Sequence, residues 1–178
     1  AGRTELVRVL FGLDALREGT VTLGAYSGKA SPKERLTHGA GMLSEDRKKE
    51  GLALQLTIGD NVTLSKLPPI VTKKSLFASA RAVIERLGIV AQGPEERVSN
   101  LSGGNQQKVA LGRLLHHDVD VYLLDEPTRG IDVASKAHIY ALIDALAARG
   151  KAVLVVSSQL PELLGLCDRI AVMRRGQL

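Results

Sequence analysis

The sequence has no tryptophan, its aromatic residues amount to only 3%, and it holds a single cysteine, Cys167. Each shortage excludes something. One cysteine cannot close an internal disulfide, so this is no disulfide scaffold, and the usage fits a reducing compartment. Scarce aromatics leave little for bases to stack on, and the 24 Lys and Arg residues are spread along the chain, the longest cluster being Arg47-Lys48-Lys49. A net charge of +5 spread so thinly does not make a nucleic-acid surface, which needs concentrated charge and stacking side chains. No stretch approaches the roughly 20 consecutive apolar residues that cross a bilayer, and no signal peptide is recognisable. A role at a membrane therefore needs a partner. Repeats and low-complexity linkers are missing too, and the chain opens AGRTEL without an initiator Met, as expected of a piece cut from a longer polypeptide.

What is present is enough for one domain with a real core: 178 residues, 44% of them apolar. Leu6, Val9 and Leu10 recur at helical spacing over residues 3 to 11, with Gly12 placed to stop the helix. TVTLGAY at 20 to 26 alternates like a half-buried strand. Ser31-Pro32-Lys33-Glu34 offers an N-cap, a proline at the first helical position and a reciprocal Glu, with Gly39 closing that helix. SEDRKKEG at 44 to 51 reads as a solvated loop. From about 57 to 115 the pattern is helical, with Leu76, Ala80, Val83, Ile84 and Leu87 on one face, Gly88 as a stop and a second helix starting near Asn105. The texture then becomes strand, helix, strand, helix, strand: VYLL at 121 to 124, a helix over about 133 to 148 between Asp132 and Gly150, AVLVV at 152 to 156, a short helix from Leu160-Pro161-Glu162, and RIAVMRR at 169 to 175. Near-continuous β-branched runs predict strands buried on both faces of a parallel sheet.

Three stretches could carry chemistry. LSGGNQQKV at 101 to 109 sets a serine and two glycines directly before a helix, where unpaired N–H groups and the positive end of the macrodipole make an anion site suited to phosphate. Asp125-Glu126 ends an apolar run and so lies at the carboxyl end of a strand, where α/β sheets bind ligands. There the first acid can hold Mg²⁺ and the second can serve as a base toward an attacking water. Gly2-Arg3-Thr4 matches the end of the phosphate-cradling GxxxxGK[ST] loop except that Arg replaces Lys. His116, His117 and His38 sit at helix ends, where cations interact favourably with the dipole, and Cys167 reads as a small core residue.

Taken in order, these pieces resemble the nucleotide-binding subunit of ATP-binding cassette (ABC) transporters, over nearly the whole chain: LSGGNQQKV resembles the signature, VYLLDEPT the Walker B strand and RGID at 129 to 132 the D-loop. More narrowly, AGRTEL, SEDRKKEGL, LSGGNQQKV, LDEPTRGIDV and SSQLPELLGLCDRIAVM resemble the second, C-terminal cassette of duplicated ATPases that energise bacterial import of ribose, galactose, xylose and similar sugars. The resemblance implies an α/β P-loop NTPase core with a parallel sheet, truncated at its N-terminus, over 1–56 and 116–178, and an α-helical signature subdomain over 57–115. It implies ATP and Mg²⁺ as cofactors. Its implied partners are an N-terminal cassette of the same polypeptide, transmembrane permease subunits and, indirectly, a periplasmic sugar-binding protein, with no nucleic acid, at the cytoplasmic face of the inner membrane. Gly2, Arg3, Thr4, Ser102, Gly103, Gly104, Gln106 and Asp132 would face nucleotide. Thr4, Glu45 and Asp125 would serve Mg²⁺, and Glu126 and Ser158 would be catalytic. The loop after Glu45 is where such cassettes meet the membrane subunit.

Several positions depart from a hydrolysing cassette. Arg3 replaces the P-loop Lys, and its planar fork does not fit a compact ammonium site. Glu5 stands where a hydroxyl faces the α-phosphate; like charges about 4 Å apart cost roughly 1 to 4 kcal/mol. Glu45 takes the place of the Q-loop glutamine, and Ser158 that of the switch histidine. The expectation is an asymmetric pair: this half binds or turns over its own nucleotide poorly but lends its signature to the partner's ATP, and the isolated chain is a poor ATPase. Two rival readings are a soluble ABC ATPase acting on nucleic acid and a purely regulatory nucleotide-binding module. The first normally carries a long coiled coil or zinc modules before the signature, which this chain lacks.

Overall fold

The computed structural model describes residues 2–177, so Ala1 of the opening AGRTEL lies outside it. It divides into two compact units, one of Ala1–Glu45, Val119–Pro127 and Leu142–Leu178, the other of Asp46–Asp118 and Thr128–Ala141.

The first unit is built on a three-stranded parallel sheet in the order β3 (Ala40–Leu43), β4 (Val121–Asp125), β5 (Ala152–Val156). Ala40 pairs with Val121 and Val121 in turn with Ala152, so β4 is the middle strand. Its residues 122 to 125 are all buried. Helix α1 (Arg3–Phe11) places Val7 against Leu123 and Val156 to form the centre of the core. Gly12 ends α1 at φ 86, a left-handed conformation that glycine adopts without a steric penalty. Helix α2 (Pro32–Thr37) begins with the expected capping box, Ser31 and Glu34 satisfying each other's backbone N–H groups. Strand β3, short and glycine-containing, is not evident in the sequence; pairing with β4 creates it.

Three expectations fail in this unit. TVTLGAY is not one strand but two strands of two residues, β1 (Thr22–Leu23) and β2 (Tyr26–Ser27), because Gly24 at φ 58 folds the chain back between them. RIAVMRR forms no strand: Arg174 bridges only to Gln177, since Arg175 and Gly176 both take positive φ and make a tight turn. Val172 there is 75% exposed. Finally, β5 is not buried on both faces. Its Ala152 and Leu154 are exposed, and among the described residues no strand pairs with its outer edge.

The second unit is helical. Helices α3 (Ile58–Thr63), α4 (Lys73–Leu87) and α5 (Gly103–His117) pack around Ile58, Val62, Ala80, Val83, Leu87, Val109, Leu111 and Leu114. Fully buried Asn61 bonds to Ala53 through both its oxygen and its amide, and Arg113 donates to the backbone and side chain of Asn61 at 2.8 and 3.1 Å. Lys108 donates to the carbonyl of Gly88 just past α4, satisfying a group that the helix leaves unpaired. The segment expected as a loop at 44 to 51 instead makes a π-helical turn over Arg47–Gly51, begun by Asp46, whose carboxylate accepts from Lys49 N–H at 3.1 Å. Helix α6 (Val133–Ala148) begins and ends where the sequence places it; the boundary between units falls within it. The short helix α7 (Leu160–Leu166) belongs to the first unit. No helix among the described residues is long and apolar enough to cross a membrane.

Candidate functional site

In the first unit, the N-terminus of α1 and the carboxyl end of β4 come together. Gly2 precedes α1 at φ 100, where any Cβ would press on Met173 Sδ at 2.9 Å. Thr4 donates to Glu45 Oε2 at 3.4 Å, joining two of the three residues expected to serve Mg²⁺. The third, Asp125, is fully buried, and neither of its oxygens has a hydrogen-bond partner. Desolvation by burial pushes the carboxyl above the usual range, with Glu126 and Glu5 adding repulsion, and outweighs the nearby Thr4 hydroxyl and Arg3 guanidinium, which favour the charged form. A buried carboxylate without donors is the chemistry a hard cation satisfies. Among the described residues no group of three or more His, Cys, Asp or Glu could hold a metal alone. A Mg²⁺ here would need phosphate oxygens and water to complete its shell, the usual habit of that ion.

Glu126, next along, is nearly buried and takes φ 49, a left-handed conformation uncommon for a residue with a Cβ. Its N–H donates to Val156 O at 2.8 Å, which turns the chain as it leaves the sheet. Arg3 approaches Glu126 Oε1 at 3.8 Å and donates to Ser157 O at 2.5 Å. The Ser157 hydroxyl donates to Glu162 at 2.5 Å and accepts from Gln159 N–H at 3.0 Å. Ser158, the expected switch residue, is exposed.

In the second unit, Ser102 caps α5, its hydroxyl accepting from Asn105 N–H at 3.4 Å. The helix thus starts at Gly103, earlier than the sequence places it, because a capping serine outweighs the poor helix propensity of glycine. Gly103 and Gly104 are glycines for steric reasons as well. A Cβ on Gly103 would stand 2.9 Å from Arg47 Nη2 and 3.4 Å from Gly130 O, and one on Gly104 2.5 Å from Ser135 Oγ and 3.1 Å from Asp132 Oδ2. Asp132 accepts from the N–H and hydroxyl of Ser135, both at 2.8 Å, and these bonds hold its carboxyl below the usual range. Gln106 is buried, with its amide given to Val98 O and Leu101 O at 3.1 and 3.2 Å.

The profile of the ABC transporter family matches residues 1–129. The chain belongs to that family. Its cassette fold agrees: a nucleotide-free ATP-binding cassette from an ABC transporter superposes with TM-score 0.82 at 22% identity, covering 99% of this chain and 74% of the other. A dimeric post-hydrolysis ATP-binding cassette bound to ADP and Pi gives 0.77 at 22% identity, over 90% of this chain and 72% of that one. Among curated proteins, the ribose import ATP-binding protein RbsA of Lactococcus lactis is 43% identical over 184 residues. Ribose import ATP-binding protein RbsA 3 of Rhizobium meliloti is 44% identical over 188. Both alignments take in 100% of this chain, which spans only 37% of either relative's length.

For this ABC cassette, residue types and spacing pointed to Thr4, Asp125 and Glu126, and the family resemblance added Glu45, all of which the first unit gathers; they pointed likewise to Ser102, Gly103 and Gly104, and the resemblance added Asp132, all of which the second gathers. Sequence reasoning missed two contacts. Ser157, not its neighbour Ser158, receives Arg3; and Arg47, expected to be solvated, turns back onto the signature, donating to Arg129 O at 3.2 Å.

Proposed function

We propose that this chain is the C-terminal ATP-binding cassette of a bacterial sugar importer, coupling ATP binding and hydrolysis to uptake through permease subunits at the cytoplasmic face of the inner membrane. The supporting observation is identity of 43–44% across the full chain to proteins named for ribose import. An N-terminal cassette of the same polypeptide supplies the second half of each ATP site, and a periplasmic binding protein delivers the sugar.

Thr4, Asp125 and Glu45 would hold Mg²⁺, which neutralises charge developing on the transferred phosphate. Glu126 stands where a hydrolysing cassette would orient and deprotonate the attacking water. Ser102, Gly103 and Gly104 direct α5 N–H groups at the γ-phosphate of an ATP held mainly by the partner cassette. The helical stretch 57–115 carries this signature as a subdomain. This half is degenerate. Arg3 does not project like a P-loop lysine; its guanidinium is engaged by Glu126 and the carbonyl of Ser157. Before phosphate can enter, that contact must break, and the Glu126 carboxylate is drawn toward a cation instead of a water.

Steady-state ATP hydrolysis by the assembled transporter tests this. Gly103→Asp puts a carboxylate against the partner's γ-phosphate and is expected to reduce turnover about tenfold or more, whereas Glu126→Gln is expected to leave most activity intact. Equal, severe loss from both would mean that this half hydrolyses its own ATP. Full activity in both would remove the signature from the reaction altogether.

A further inference from the structure

The basic turn after Glu45 bears on the signature through one side chain. Arg47 opens the π-helical turn Arg47–Gly51, while Lys48, Lys49 and Glu50 beside it are exposed. Its guanidinium lies over the first residue of α5, with Nη2 2.9 Å from the position a Cβ on Gly103 would take. Its other arm, Nη1, donates to Arg129 O at 3.2 Å, and its Nε is buried without a hydrogen-bond partner. One planar group therefore spans the start of the signature helix and the 129–130 backbone, whose Gly130 O faces the same Gly103 position at 3.4 Å. A lysine, with a single point donor, cannot reproduce that span.

We propose that Arg47 is a positioning residue for ATP hydrolysis: it ties the exposed turn 47–51 to Gly103 and Arg129, so that displacement of the turn moves the N–H groups of the signature. The proposal rests on the signature role given above. Arg47 touches no substrate. It sets where Gly103 stands relative to the phosphate, and geometry of that kind acts on the transition state more than on ground-state affinity. The absence of a side chain at Gly103 is what admits the guanidinium.

The test uses the assembled transporter carrying Arg47→Ala, Arg47→Lys, Gly103→Ala and the double variant Arg47→Ala/Gly103→Ala, with Gly103→Asp as reference. Arg47→Ala is expected to lower kcat about tenfold, the loss of one charge-assisted contact, with KM for ATP and Tm unchanged, and Arg47→Lys to recover only part of it. Gly103→Ala should cost activity when Arg47 is present and much less in the Arg47→Ala background, because the added methyl then displaces no guanidinium. Unchanged kcat in Arg47→Ala, a drop in Tm that accounts for its lost activity, or strict additivity in the cycle would overturn the proposal. If Gly103→Asp abolishes turnover while Arg47→Ala is silent, only the positioning role fails; if Gly103→Asp is itself silent, the signature role fails and the proposal falls with it.

Discussion

Burial raises the carboxyl pKa of Asp125, so the folded chain holds a proton there more tightly than the unfolded chain does. Stability from this group is therefore lost as pH climbs from the ordinary carboxylate range through the raised value, the reverse of a salt-bridged acid. Asp125→Asn removes the unpartnered charge and is expected to stabilise the chain by about 1 kcal/mol at neutral pH, with the difference fading in acid where both side chains are neutral. Thermal unfolding across pH reads this directly; a variant less stable than the parent at neutral pH would show that Asp125 is satisfied in solution. Single residues such as Asp125 and Glu126 were legible because two acids ending an apolar run advertise charge at a strand end, whereas the capping by Ser102 was not foreseen. Arg3 on Ser157 and Arg47 on Arg129 were not, because the partners lie 154 and 82 positions away and only the tertiary fold brings them together.

Helices α4 and α5 meet where Gly112 faces Val83, and a Cβ on Gly112 would overlap Val83 Cγ1. Alanine is the better helix former by about 1 kcal/mol, so intrinsic propensity predicts a gain from Gly112→Ala. Overpacking of a helix crossing costs about 1–3 kcal/mol and wins; urea denaturation is expected to show a lower midpoint, and a higher one would mean that α4 yields freely. The helices themselves were legible because caps and periodicity are local: Ser31, Asp132, Gly12, Gly88 and Gly150 bound elements where the sequence places them. Strands were less so. A strand exists by pairing, which is why AGML, with no β-branched residue, became β3 beside β4 whereas RIAVMRR, with Ile170 and Val172, met a tight turn at Arg175-Gly176 and stayed single.

At the scale of the molecule, β5 is an edge strand among the described residues, and its exposed Ala152 and Leu154 leave one of its faces apolar and open. Unpaired edges of this kind template association between chains, and a lysine on the edge blunts them. Leu154→Lys is expected to raise the soluble concentration of the chain produced by itself without changing its circular dichroism; unchanged association by light scattering would acquit the edge. The order in which the sheet is assembled has a consequence for biosynthesis. Strand β3 leaves the ribosome about eighty residues ahead of its neighbour, since Ala40 pairs with Val121, which at roughly 5–20 residues per second is a wait of several seconds. In that interval α3, α4 and α5 emerge complete and can close around their own core. The helical unit is thus the natural first product of translation, and the nascent β3 is the segment for which a chaperone would have most use.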